Sequence, residues 1–172
     1  MTRVRTDRFR NLLLALSLMG CAGCAQALTA SDGRILENLF PVSTLSFDNG
    51  AALTCPVFQI YLAQSPSQRS RGLMFVRNLP VDWGMLFIYE RPRTISMWMK
   101  NTFIPLDMVF IDGTGLVVDV IANTKPGSLD SLTPKARAVA VLEINGGLAA
   151  ELDIGPGTRV HHEAFLPSSS RP

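Results

Sequence analysis

The side chains with the most chemical potential crowd into one stretch, Met97 to Asp107, which reads "MWMKNTFIPLD". An indole (Trp98), an ammonium (Lys100), an amide (Asn101) and a hydroxyl (Thr102) come first, and a carboxylate (Asp107) follows past a proline. Two arrangements suit this order. Lys100 and Asp107 can pair across a strand connection while Asn101 bonds turn backbone, which makes a rigid corner. Or the polar groups can gather at the mouth of a sheet, with Trp98 as one wall of a pocket. A lysine beside a carboxylate is also a setting in which pKa values move toward catalysis, so a hydrolytic use of Asp107 or Glu143 with Lys100 is a further reading.

Arginine extends the set. Arg69 and Arg71 sit where a short helix should end, and Arg91 and Arg93 flank Pro92 just ahead of the tryptophan. If helix end and strand start converge, their guanidinium groups form a fork for a carboxylate or phosphate. Methionine offers a third theme. Thioethers select Cu(I), and Met97, Met99 and Met108 could supply them, although methionine at alternate strand positions also fills core gaps. Other chemistries find less. His161 and His162 are neighbours on a predicted strand, face opposite sides and cannot chelate one ion together. The sequence has no Gly-x-Ser-x-Gly, no His-Glu-x-x-His, no cysteine–histidine zinc spacing and no glycine-rich phosphate loop after a strand. No cofactor is expected, and an enzyme is the weaker expectation.

The elements that must hold these residues are mostly short apolar runs bounded by turns, which predicts strands. "TLSF" and "AALT" flank Asp48-Asn49-Gly50, a hairpin signal, and "PVFQIYLA" follows. Ser65, Pro66 and Gln68 make a capping box for a helix ending near Gly72. "GMLFIY", "TISMWMK", "PLDMVFID", "GLVVDVIA" and "AVAVLEIN" predict five more strands; "GGLAAEL" predicts a short helix and "TRVHHEAF" a last strand. On "TISMWMK", alternation puts Thr94, Ser96, Trp98 and Lys100 on one face and Ile95, Met97, Met99 and Asn101 on the other. Leu106, Met108 and Phe110 share an apolar face, with Asp107, Val109 and Ile111 opposite. The expected fold is mainly β, a compact antiparallel sandwich or barrel-like domain with one or two short helices and no β-α-β alternation.

The N-terminus reads as an address. Four arginines precede the apolar "NLLLALSLMG", too short to span a bilayer and flanked like an export signal. Leu18-Met19-Gly20-Cys21 resembles a lipobox that would lipidate Cys21, whereas "AQA" allows cleavage after Ala27. Taking four arginines from the 16 basic side chains and one aspartate from the 14 acidic ones leaves 12 and 13, so the formal charge falls from +2 to −1. Nothing basic remains to suggest nucleic acid as a partner, and a membrane would be met only through a lipid anchor. Cys55 is the one cysteine of the folded part, and a Cys24–Cys55 disulfide is open only if the lipobox is used. The division expected is 1–27 export signal, 28–41 lead-in or tether, 42–166 a single domain and 167–172 a frayed tail.

"RSRGLMF" at Arg69 to Phe75, "GMLFIY" at Gly84 to Tyr89, "MWMKNTFIPLDMVFID" at Met97 to Asp112 and "VLEINGG" at Val141 to Gly147 resemble, in order and spacing, domain-of-unknown-function family 192 (DUF192). The likeness covers about residues 42–163. It implies a small, mainly β domain, often exported in bacteria, with no established reaction or ligand. Arg71, Gly72, Met74, Gly84, Trp98, Lys100, Asn101, Thr102, Pro105 and Asp107 fall on its motif positions, without assigned chemical roles. Family members often carry Gly-Asp near the last turn, where Gly155-Pro156-Gly157 stands here.

Together these readings favour an exported, non-enzymatic cell-envelope module that binds a small polar or anionic ligand or a partner's segment through Arg71, Arg93, Trp98, Lys100, Asn101 and Asp107. The alternatives are the hydrolase of Asp107 or Glu143 with Lys100, and a Cu(I) site of Met97, Met99 and Met108.

Overall fold

Period-two burial divides the strands into two apolar faces, and the chain curls a single sheet around one of them. The computed structural model describes residues 32–48 and 57–166. Seven strands, β1 (Val42–Asp48), β2 (Val57–Ala63), β3 (Trp83–Arg93), β4 (Leu106–Ile111), β5 (Val117–Ile121), β6 (Ala138–Asn145) and β7 (Arg159–His161), pair in the order β5-β4-β6-β3-β2-β1-β7. The edges meet at one end, where Leu116 bridges Arg159 and the Val117 N–H donates to the Thr158 carbonyl at 2.9 Å. The result is a curled, barrel-like sheet, as expected.

All seven strands contribute to the inner cluster, among them Phe47, Ile60, Leu86, Val109, Val117, Leu142 and Val160. The outer cluster rises from β2, β3, β4 and β6 through Tyr61, Met85, Phe87, Met108, Phe110 and Val141. Strand β4 is buried along its whole length, as a strand apolar on both faces must be. A first helix, α1 (residues 32–39), helps to cover the outer face with Leu36, while the adjoining Phe40 packs beside it. Leu36 and Phe40 thus pack onto the sheet from within the stretch that the sequence suggests as a lead-in or tether.

The second helix, α2 (Pro66–Arg71), starts as its sequence requires. Ser65 Oγ accepts from the Gln68 N–H at 3.2 Å, and Gln68 Oε1 accepts from the Ser65 N–H at 3.0 Å. This helix lies between β2 and β3, which pair in parallel. The absence of a β-α-β unit expected from the sequence is thus corrected. Antiparallel neighbours need only a turn, but parallel ones need a crossover, and Gln64 to Asp82 provides it.

Two further expectations change. "TISMWMK" is not a strand: beyond Arg93 the chain runs extended and makes only an isolated bridge, Met97 to Leu132. "TRVHHEAF" is a strand only to His161 and ends in a 3-10 turn, Glu163–Phe165. The short helix after β6 forms as α3 (Leu148–Glu151). The Asn49-Gly50 turn, the "AALT" segment, the export signal with Cys21 and Cys24, Cys55 and the tail lie outside the described residues.

Gly84 shows how closely the centre of the sheet is packed. A Cβ there would lie 2.7 Å from the Glu143 carbonyl oxygen and 3.1 Å from Ile144 Cγ2, so backbone has to move. Gly84→Ala is expected to cost roughly 2–3 kcal/mol, read as a lower urea midpoint with an unchanged slope.

Candidate functional site

Four pieces of chain build a cleft of about 320 Å³ on the outer face. They are α2 with the turn after it, the far end of β3, the extended segment after β3 and the floor strand β6. Lining it are the cations Arg69, Arg71, Arg93 and Lys100, the aromatic rings of Tyr89 and Trp98, and the buried Glu143.

Each wall has a local cause. Gly72 caps α2 with φ of 46°, and a Cβ there would come within 3.1 Å of Phe87, so only glycine turns the chain without disturbing the sheet. That turn brings Arg71 to the cleft, where its guanidinium donates to the Met74 carbonyl and stacks 5.1 Å from the Phe75 ring. Arg69 reaches back to the carbonyls of Gln64 and of Ile88, the latter at 3.1 Å, fastening helix to strand. Strand β3 alternates Met85, Phe87 and Tyr89 onto the outer face and then runs on as an exposed end to Arg93. Arg69 and Arg93 both stack on Tyr89, at 4.9 and 5.5 Å from its ring centre.

The extended segment is held mainly by backbone. Met97 exchanges two bonds of 2.9 Å with Leu132, the Met99 N–H donates to Ser128, and the Asn101 carbonyl accepts from the Phe75 N–H at 2.8 Å. Alternation survives without the ladder, since Ile95 and Met99 are buried while Ser96, Trp98 and Lys100 face out. Trp98 is 52% exposed, and the Lys100 ammonium lies 5.6 Å from its ring centre.

No carboxylate oxygen lies within ion-pair distance of the four cations among the described residues. The one carboxyl group in the cleft is Glu143 on β6, 5% exposed, set between Met85 of β3 and Met108 of β4 in the sheet register. Burial pushes its pKa up to about 8, so it is largely a neutral acid at pH 7. Tyr89 is also raised, by burial first, with Arg69 and Arg93 opposing the shift and Glu143 adding to it.

Of the residues predicted from sequence, the structure brings Arg71, Arg93, Trp98 and Lys100 together and leaves Asn101 and Asp107 out of the lining. Asn101 occupies a left-handed turn position, φ 57°, with its amide 3.9 Å from the Met74 sulfur. Asp107 is fully buried on the opposite face of the sheet. Its Oδ1 accepts from the N–H groups of Asn123 (2.7 Å) and Gly147 (2.9 Å), and Oδ2 accepts from Ala149 (2.8 Å). It anchors the start of α3 and the chain just after β5, rather than meeting Lys100. Of the hydrolytic reading, Asp107 drops out: it pairs with Ile144 in register and Glu143 with Met108, so Asp107 points to the face opposite the cleft, whereas Glu143 and Lys100 both line it.

Among the methionines, Met99 and Met108 are fully buried, and Met99 Sδ accepts from Thr124 Oγ1 at 3.1 Å. Their contacts are those of core gap-fillers. Sequence reading missed Tyr89 as a cleft wall. Its signal was present: Phe87 and Tyr89 share a strand face, and the apolar period breaks at the tyrosine.

The sequence profile of the DUF192 family (uncharacterized ACR) matches residues 49–162. No curated protein matches the chain. A solved structure of a candidate transcription regulator from Sinorhizobium meliloti is similar at a TM-score of 0.70 and 33% identity, covering 73% of this chain and 96% of that one. A protein of unknown function from Novosphingobium aromaticivorans is similar at 0.67 and 36%, covering 70% and 85%.

Proposed function

The chain belongs to the DUF192 family, whose profile carries no assigned chemistry, and from the cleft itself we propose that it is a binding module for a small anionic ligand. One observation carries this reading: Arg69, Arg71, Arg93 and Lys100 converge on one cleft with no carboxylate partner among the described residues. Like charges gathered without counter-ions repel, and a bound carboxylate or phosphate relieves that repulsion. Tyr89 and Trp98 supply flat apolar walls that hold the guanidinium and ammonium groups in place and shield the ligand's stem.

The module is non-enzymatic in this account. Glu143 is the only acid lining the cleft, and among the described residues no lysine, arginine or histidine nitrogen lies within 4.0 Å of its oxygens. We place the protein outside the cytoplasm on the strength of its N-terminal 27 residues, with the lipobox at Cys21 as the route to a membrane anchor. The regulator description of the Sinorhizobium protein is not carried over, because residues 28–172 have a formal charge of −1 and no basic stripe for DNA.

Isothermal titration with inorganic phosphate, pyrophosphate and short mono- and dicarboxylates tests the reading. At least one of these anions should bind, more weakly as salt rises. The double variant Arg71→Ala with Arg93→Ala should weaken it about 30-fold or more, with Lys100→Ala costing about tenfold. Equal affinity in wild type and the double variant would remove the cleft from consideration.

A further inference from the structure

The cleft is two-signed. Three of its cations, Arg71, Arg93 and Lys100, belong to its more open walls, whereas its single carboxyl group lies on the floor strand. That carboxyl group is 5% exposed, and among the described residues neither a hydrogen bond nor an ion pair to it is present. No enclosed side-chain oxygen among the described residues lacks a partner, so the Glu143 carboxyl opens toward the cleft, where it is positioned for a group that arrives from outside.

The groups around Glu143 narrow what that arriving group is. From β3 come Met85 and Tyr89, and Tyr89 feels the Glu143 charge. From β4 comes Met108, from α2 comes Arg69, and from the extended segment come Met97, Lys100 and Thr102. Arg69 is committed to the carbonyls of Gln64 and Ile88, and neither it, Arg93 nor Lys100 lies within 4.0 Å of a Glu143 oxygen. Arg71, Arg93 and Lys100 are thus the cations placed for the anionic end of a ligand. The floor carboxyl meets its other end, and the complement of a carboxyl group is an N–H donor, best a charged one.

Resting on the reading of the cleft as an anion site, we infer that its ligand is a small zwitterion: a carboxylate or phosphate held by Arg71, Arg93 and Lys100, and an ammonium held by Glu143. Seating the ammonium turns Glu143 from acid to carboxylate, and the proton passes to solvent. The same ligand thus meets both the gathered cations and the carboxyl group of the floor, which a simple anion does not.

Two matched series test this by calorimetry at pH 7. The first compares 4-aminobutyrate, 5-aminopentanoate and 6-aminohexanoate with butyrate, pentanoate and hexanoate; the second compares phosphoethanolamine with ethyl phosphate. The amine-bearing member of at least one pair should bind about tenfold more tightly or better, and the heats in buffers of different ionisation enthalpy should show proton release. Glu143→Gln should erase both the advantage and the proton release. Which series shows the effect tells carboxylate from phosphate. Amine-free anions that bind as well as their amine-bearing partners overturn the zwitterion inference and leave the anion site standing, as does an advantage that survives Glu143→Gln. If no member of either series and no simple anion binds, the anion site itself falls, and this inference with it.

Discussion

Asp107→Ala is expected to cost roughly 3–5 kcal/mol of folding stability, among the largest losses available from a single polar side chain here. The reason is the number of donors left behind. Asp107, itself fully buried, takes the part-buried N–H groups of Asn123 and Gly147 and the buried one of Ala149, and alanine leaves all three without their protein partner. Gly147 and Ala149 lie at the start of α3, a helix of one turn that cannot hold itself. Asp107→Asn keeps one carbonyl oxygen, able to serve Asn123 and Gly147, but turns an amide N–H₂ toward the Ala149 donor. About half of the loss should therefore remain. Urea unfolding measures both. Below its own unfolding transition, Asp107→Ala should bind anions within about twofold of wild type, because the cleft is on the other face. Intact stability together with abolished binding would put Asp107 back in the site.

Glu143→Gln should act in the opposite direction, and only at high pH. In the folded protein burial raises this carboxyl from its ordinary 4.5 to about 8. Between those values the native state keeps a proton that the unfolded chain has released. Stability is therefore fully present below pH 4.5 and lost as the pH climbs toward 8. The shift corresponds to at most roughly 5 kcal/mol, and solvent reaching the cleft reduces it. Glutamine removes the titration. The variant should match wild type within about 1 kcal/mol at pH 4.5 and exceed it by several kcal/mol at pH 9.

His162 contributes a slope of its own that both proteins share. Burial lowers its pKa, its Nδ1 accepts from the Ala164 N–H, and its Nε2 lies 3.2 Å from Ser43 Oγ. A lowered histidine makes stability fall as the pH drops below about 6.5. The difference between wild type and Glu143→Gln isolates the glutamate. A difference that stays level from pH 4.5 to 9 would mean that Glu143 is not buried as an acid.

Local signals in the sequence were accurate where local physics decides. The Ser65–Gln68 capping box formed as written, and period-two burial assigned Leu106, Met108 and Phe110 to one face and Val109 and Ile111 to the other. Alternation also separated Met99 from Trp98 and Lys100, even where no strand formed. What failed was long-range. "TISMWMK" has strand composition but reaches the sheet beyond its edge and finds only Leu132 to pair with. Asp107 follows Lys100 closely in sequence, yet the turn at Thr102 and the full burial of β4 deliver it to the inner side. The parallel pair β2–β3 could not be foreseen, because a single short helix in a run of strands reads as decoration until the pairing is known. Of the candidate site, the convergence of Arg71 and Arg93 depended on Gly72 turning the helix end toward β3. The place of Glu143 beneath them depended on strand order alone.

The cleft as an anion site is tested most directly by nitrogen-15 NMR titration with inorganic phosphate, pyrophosphate and the short carboxylates. The chain has two tryptophans, and their indole N–H signals form a built-in comparison. Trp98 lines the cleft, whereas Trp83 begins β3, about 20 Å along the strand from Tyr89, and stacks on Tyr61. Saturable shifts of the Trp98 indole and of backbone amides from Arg69 to Met74 are expected, with Trp83 and the α3 amides unmoved. Shifts centred on α3 or Trp83, or none at the cleft with any anion up to tens of millimolar, would contradict it.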